Sequence, residues 1–341
     1  MPPRTEPEVF SRQDNILLAS AVALTLLGLT SVFSSSHVMA QWRYHDPYFF
    51  VTRQLIYALV GFAALTAVRF FDYRRYQSLV YPLLLVSFIA LLLVFVPGIG
   101  VRVRGAARWL RLGPVTVQPS EFAKLAIVLF LAYSLARKQD KVKYFSIGFL
   151  PHMIVAGLFT ALIVREPDFG TGMTLAALVL IMLFVGGVRL AYIVGASLSV
   201  AGLGTLMVLR DPKKFGRILS FLDPWKYGQD VGYHLKQSLL AIGSGGLFGL
   251  GPGQSRAKLF YLPDAHTDFI LSVFSEELGF IGVLFILALF AILIARGLRL
   301  SLRAPDAFGS YLALGLTLLI GLQAVINMGV VTGLLPTKGL T

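Results

Sequence analysis

Nine stretches of the chain combine apolar residues with almost no charge. They lie at about 15–34, 54–69, 77–97, 120–136, 147–164, 169–188, 190–209, 269–295 and 307–330. A helix of about twenty apolar residues spans ~30 Å of hydrocarbon. Backbone groups in lipid must bond within their own segment, so these runs predict helices. The pattern predicts an all-α, polytopic integral membrane bundle. The first run is too long for a cleavable leader and reads as a span. No repeat or low-complexity linker divides the chain. Residues 1–341 therefore read as one membrane domain, with a large loop, 210–268, between the seventh and eighth spans. The closing Leu335-Pro-Thr-Lys-Gly-Leu-Thr reads as mid-loop, so a tenth span is expected beyond it.

Composition agrees. Of 341 residues 56% are hydrophobic and 14% charged, against about 45–50% and 25% in soluble domains. There are no cysteines, which excludes disulfide and thiol chemistry. A net charge of +13 on a soluble protein would suggest nucleic acid; here it asks which side the cations occupy. One set of loops carries Arg4, Arg12, Arg69, Arg74, Arg75, Arg137, Lys138, Lys141, Lys143, Arg189, Arg296, Arg299 and Arg303, thirteen in all. The opposite short loops carry eight: Arg43, Arg53, Arg102, Arg104, Arg108, Arg111, Arg165 and Lys338. The positive-inside rule places the first set and the N-terminus in the cytoplasm. Long loops cross regardless of charge, so 210–268 is left out of the comparison and falls outside.

The outer face is the unusual one. The loop 98–118 carries Arg102, Arg104, Arg108 and Arg111 against the topology signal. Guanidinium groups suit bidentate phosphate binding, so a polyanion at the outer leaflet would account for them. Anionic lipid headgroups would account for them too. Glu121 and Lys124 sit three apart at the start of the fourth span, on one helical face. Pro119 and Glu121 also suit an ordinary helix start, which leaves Lys124 unexplained. Asp168 opens the sixth span and Asp268 the eighth, and either could be a cap. The fourth, sixth and eighth spans all run inward from outside. Glu121, Lys124, Asp168 and Asp268 are thus expected at one level, around an outward-facing polar cavity. Glu276 and Glu277 lie two or more turns deeper, as structural partners for a buried cation.

Other features carry less. Gly243–Gly253 is glycine-rich without the ending of a P-loop. The apolar Leu239–Leu250 is too short to span. The five histidines show no metal spacing. Trp42, Trp109 and Trp225 fall outside the spans and read as interfacial anchors.

Gly105-Ala-Ala-Arg-Trp-Leu, Gln118-Pro-Ser-Glu-Phe-Ala-Lys-Leu and Glu166-Pro-Asp-Phe-Gly-Thr resemble the shape, elongation, division and sporulation (SEDS) family. So do Phe221-Leu-Asp-Pro-Trp, Gln237-Ser, Ala241-Ile-Gly-Ser-Gly-Gly-Leu, Tyr261-Leu-Pro-Asp-Ala-His-Thr-Asp-Phe and Glu276-Glu-Leu-Gly. The likeness covers nearly the whole chain and favours the division branch over the elongation branch. Asp264 stands where the family usually has Glu. The resemblance implies a peptidoglycan glycosyltransferase that polymerises lipid II, a polyprenyl-diphosphate-linked disaccharide, on the outer face of the bacterial cytoplasmic membrane, at the division septum. It implies Asp268 as the catalytic carboxylate. It places Arg104, Arg108, Trp109, Gln118, Ser120, Lys258 and His266 towards substrate, and Glu121, Lys124 and Asp168 in a cavity ion-pair cluster. It implies a class B penicillin-binding transpeptidase (FtsI-type) and other division proteins as partners, besides membrane lipid, and no nucleic acid. It implies no certain cofactor, leaves open a divalent cation (Mg or Mn) at the diphosphate, and names no protein metal ligands.

The residues suit that reaction. Glycosyl transfer with inversion needs a base for the attacking hydroxyl. A diphosphate leaves with its charge and needs cations rather than an acid. One placed Asp with several arginines meets both demands. A flippase for the same lipid would need polar groups through the whole membrane. A non-catalytic division scaffold would leave the outward arginines and Lys124 without a role.

Overall fold

The computed structural model describes residues 7–103, 106–113, 115–227, 232–263 and 265–336. Arg4, Arg104, Asp264 and Lys338, singled out above, lie outside the described residues. Among the described residues, eleven α-helices and one small sheet follow in chain order: α1 (Pro7–Tyr44), α2 (Phe49–Arg69), α3 (Tyr76–Leu93), β1 (Gly100–Val103), β2 (Ala106–Leu112), β3 (Val115–Val117), α4 (Pro119–Arg137), α5 (Leu150–Arg165), α6 (Phe169–Val185), α7 (Leu190–Leu209), α8 (Pro212–Leu222), α9 (Tyr233–Gly245), α10 (Ile270–Arg303) and α11 (Ala307–Val331). Among the described residues, 8 helices are long and apolar enough to cross a membrane, and the 17-residue α6 is apolar but shorter. The chain is a multi-pass, all-α membrane protein.

Two edges differ from the sequence pattern. The first span does not stop near residue 34 but continues as α1 to Tyr44, which puts Trp42 on the helix. The serines there do not break it, because they bond back to its own carbonyls: Ser31 to Leu27 and Ser35 to Ser31, both at 2.7 Å. The eighth span runs on to Arg303, carrying Arg296 and Arg299 on the same helix.

The described residues form two compact units, 7–70, 211–296 and 324–336 in one and 71–210 and 297–323 in the other. In the second, α4 is the central helix. Pro119 opens it, and Ala123, Lys124, Ile127, Leu131 and Leu135 are all buried along it. The apolar four of these pack with Val80, Leu91, Leu175, Leu178, Met182, Phe308 and Leu312. The loop before α4 is an antiparallel sheet of order β1-β2-β3. The reading of 98–118 as a bare arginine loop is thereby corrected: Val101 and Val103 alternate with polar positions, the pattern of a strand.

In the first unit, Ala257, Leu262, Phe269, Val273, Phe274 and Val331 form the core, with Leu27 of α1 against it. Helix α10 is broken at Gly279, whose φ is 66° and ψ −167°. The loop after α9 repairs the break. Leu250 and Gly251 amides donate to the Glu276 and Glu277 carbonyls at 2.9 and 3.0 Å, and Phe280 and Ile281 amides donate to Gly246 and Leu247 at 2.9 and 3.2 Å. Only glycines fit. A Cβ on Gly279 would lie 2.3 Å from the Gly249 nitrogen, and one on Gly249 2.1 Å from the Glu277 carbonyl oxygen. Irregular backbone at membrane depth is tolerated when it is bonded within protein in this way.

Candidate active site

The residues expected at the site fall into two groups, one in each compact unit. In the second unit the group gathers at the start of α4 and the α5–α6 junction. Strand β2 pairs Trp109 with Val101 and Leu110 with Val117. Side chains alternate along a strand, so Arg108 shares a face with Leu110, which is buried. From there the Arg108 Nε donates to the Glu166 carbonyl at 3.1 Å, and its Nη2 donates to the Pro167 carbonyl. Two of its five donors thus tie the sheet to the junction, leaving a fixed guanidinium plane. Trp109 is half-buried.

Asp168 caps α6. Its Oδ1 accepts from the Thr171 amide at 3.0 Å, and its Oδ2 from the Thr171 hydroxyl at 2.9 Å. The Gln118 side-chain amide also reaches that Oδ2, at 3.4 Å. Gln118 flanks α4, so this bond brings the starts of α4 and α6 together. One turn into α4, Lys124 Nζ meets Glu121 Oε1 at 2.8 Å. The expected Glu121–Lys124 pair is present, and Asp168 is engaged with Thr171 and Gln118. Ser120 is fully buried and its hydroxyl has no hydrogen-bond partner among the described residues.

Glu166 is the residue the sequence named in a motif but assigned no role. It is fully buried, and neither carboxylate oxygen has a hydrogen-bond partner among the described residues. Burial first, then the Asp168 charge, pushes its carboxyl up to about 8, while Arg108 pulls the other way. Burial thus favours the protonated carboxyl.

In the first unit, Asp268 is half-buried in the turn before α10. The turn is pinned on three sides. The Asn327 side chain donates to the Asp268 carbonyl at 3.4 Å, Phe269 stacks on His234 at 5.8 Å, and His266 packs on Phe50 at 4.7 Å. Asn327 was not singled out in the sequence, although a polar side chain inside an apolar span is a sufficient signal.

Lys258, expected towards substrate, has another occupation. It is buried, and its ammonium donates to Glu277 Oε1 at 2.9 Å, to the Gly253 carbonyl at 2.6 Å and to the Ser34 hydroxyl at 3.2 Å. Three acceptors use all three of its protons. Ser34 in turn donates to Glu277 at 2.6 Å. Glu277 is thus the partner of a buried cation, as its depth suggested. Glu276 is not: it accepts from Ser244 and Ser255 hydroxyls and from the Arg256 and Ala257 amides. Both glutamates shape the loop that leads into the Asp268 turn.

Among the described residues no three His, Asp or Glu side chains gather into a metal-holding group. A divalent cation at a diphosphate would draw its ligands chiefly from phosphate oxygens and water.

Comparison with known proteins agrees with this architecture. Residues 14–341 match the family of FtsW, RodA and SpoVE, described as "Cell cycle protein". A relative from Geobacter sp. (strain M18), named "Probable peptidoglycan glycosyltransferase FtsW", is 47% identical over 327 residues, 96% of this chain and 89% of that one. Stage V sporulation protein E of Bacillus subtilis (strain 168) is 42% identical over 330 residues, 96% and 90% of the two chains. Among solved structures, RodA of Thermus thermophilus superposes with a TM-score of 0.68 at 29% identity, covering 95% of this chain and 87% of that one. A chain from a structure described as "Structural coordination of polymerization and crosslinking by a peptidoglycan synthase complex" reaches 0.74 at 28% identity, covering 95% and 89%. Motifs, fold and relatives converge, and the chain belongs to the SEDS family of cell cycle proteins typified by FtsW, RodA and SpoVE.

Proposed function

We propose that this protein is a peptidoglycan glycosyltransferase that polymerises lipid II during cell division. The observation that carries the reading is Asp268, a half-buried carboxylate on a turn pinned by Asn327, Phe269 and His266, inside the motif shared with the family. Two relatives, 47% and 42% identical, are named "Probable peptidoglycan glycosyltransferase FtsW", which supports both the activity and the division branch.

In the proposed reaction a sugar hydroxyl of the acceptor attacks the anomeric carbon of the donor. The new C–O bond forms as the bond to the diphosphate oxygen breaks. Asp268 takes the hydroxyl proton, and the polyprenyl diphosphate leaves with its electron pair. A diphosphate leaves with its charge and needs cations rather than an acid.

A class B transpeptidase is the proposed partner, supported by the synthase complex among the structural neighbours. The site is proposed to face outward, by the lysine and arginine distribution. The test is incubation of the purified protein with lipid II in vesicles, with and without its transpeptidase, followed by a gel of glycan products. A ladder of lengthened glycans is expected. Passage of lipid II between leaflets with no lengthening in either arm would assign the protein to transport and overturn the proposal.

A further inference from the structure

Away from the residues above, the second unit holds a cavity of about 490 Å³ at the Arg137 end of α4. Ligand pockets are commonly about 300–1,000 Å³, so this one has room for a polar headgroup. Tyr81 of α3 lines it, with Tyr133, Ser134 and Arg137 of α4 and Lys138 and Lys141 of the turn that follows. Among the described side chains in its lining, three are cations and none is an anion.

Two of the cations are held rather than loose. Arg137 Nη1 donates to the Tyr133 hydroxyl at 2.6 Å, and the guanidinium lies 5.3 Å from the Tyr133 ring centre. Tyr133 meets Tyr81 edge-on at 5.9 Å. Lys138 Nζ donates to the Ile147 carbonyl at 3.2 Å. Behind the lining, Ser134 is bonded to buried His152 at 2.8 Å. Burial lowers the Lys138 ammonium from its ordinary value, and an anion beside it would raise it again. The carbonyl end of α4 disfavours an anion by only about half a charge, which three cations outweigh.

Position narrows the ligand. Arg137 is the last residue of a membrane-spanning helix, so the cavity lies at headgroup depth. Tyr81, 58% exposed, makes one wall from the neighbouring span, on a face that acyl chains would cover. Basic pockets between transmembrane helices on the cytoplasmic side suit anionic lipid headgroups. We propose that this cavity binds the phosphate of an anionic glycerophospholipid from the leaflet that the cation bias makes cytoplasmic. The rival is diffuse attraction by every basic loop on that face, which requires no cavity.

The test uses the full chain in phosphatidylcholine nanodiscs titrated with cardiolipin, the retained lipid being measured by native mass spectrometry. Arg137→Gln with Lys141→Gln is expected to weaken retention roughly tenfold or more, the scale of losing two interfacial cations. Lys143→Gln with Arg299→Gln removes equal charge from that face outside the cavity and is expected to leave retention unchanged. Equal loss in both pairs would establish diffuse attraction and overturn the proposal. Gln139→Trp fills the cavity from an exposed lining residue without altering charge, and is expected to lower retention even should the first pair fold poorly. Unchanged retention in that variant would also overturn the proposal. In a lipid-free arm, inorganic phosphate raising the melting temperature as much as cardiolipin would assign the site to a free anion instead.

Discussion

Lys124 and Glu121 form an ion pair of 2.8 Å in which the lysine side chain is 2% exposed and the glutamate 53%. The asymmetry makes the two partners unequal. Glu121→Gln strands a buried ammonium, whereas Lys124→Met leaves a carboxylate that reaches polar surroundings. Breaking a fully buried pair costs about 3–5 kcal/mol. Screening at Glu121 makes that an upper bound here. Glu121→Gln is expected to lower the melting temperature more than the double variant with Lys124→Met. A double-mutant cycle with no coupling energy would dissolve the pair as a unit.

Asp268→Asn separates base from scaffold. The shape is kept and the proton acceptor removed, so polymerisation should fall by roughly 10²–10⁴ while the melting temperature stays close to wild type. Asp268→Glu keeps the charge, moves it by one methylene and should retain little activity. Lipid II polymerisation at the wild-type rate by Asp268→Asn would remove this residue from the chemistry.

Lys258 and Glu277 allow a cleaner distinction between support and substrate binding. Buried ion pairs can often be exchanged for apolar groups at little cost when both partners go together. Lys258→Met with Glu277→Leu is expected to fold, and Lys258→Met alone to be markedly destabilised. If the double variant also polymerises lipid II with an unchanged KM, Lys258 is a strut. A raised KM in a well-folded double variant would return it to the substrate.

Glu166 sets a pH dependence. Its carboxyl lies at about 8 in the folded chain against 4.5 ordinarily, with burial the main cause. Between these values the folded state binds more protons than the unfolded one, so stability falls as pH rises through that window. It is fully present below about 4.5 and lost through about 8. Glu166→Gln mimics the protonated form without titrating. Melting temperatures from pH 5 to 9, taken as steps around those values, should fall more steeply for wild type than for the variant. Parallel slopes would show that Glu166 does not titrate there.

What the sequence revealed follows from how local each feature is. The nine apolar runs reach into their helices because hydropathy over about twenty residues depends on no neighbour. The Glu121–Lys124 pair was legible because a spacing of three fixes a shared face within one helix. Glu277 was legible from its depth as the partner of a buried cation, but that the cation is Lys258 was not, since a loop and a helix must meet to make the pair. Val101 and Val103 alternate with Arg102 as strand residues do, but Ala106–Leu112 puts Arg108 on the face of Leu110, so the alternation there is broken and the arginines read as a charged loop. The burial of Glu166 was hidden for another reason. Its string Glu166-Pro-Asp reads as a polar loop, and only the Arg108 tether from β2 shows it covered.

The splice at Gly279 bears on the order in which the protein is made. A helix broken within a span leaves amides and carbonyls open, each costing several kcal/mol in hydrocarbon until bonded. The loop that closes them, Gly246–Gly251, is synthesised before α10 and cannot dock until α10 exists. Insertion of that span and completion of its hydrogen bonds are therefore separate events. The second waits on a segment already released, and the same docking carries Glu276 and Glu277 into place. Docking of that loop is thus a step of its own, taken after α10 has entered the membrane.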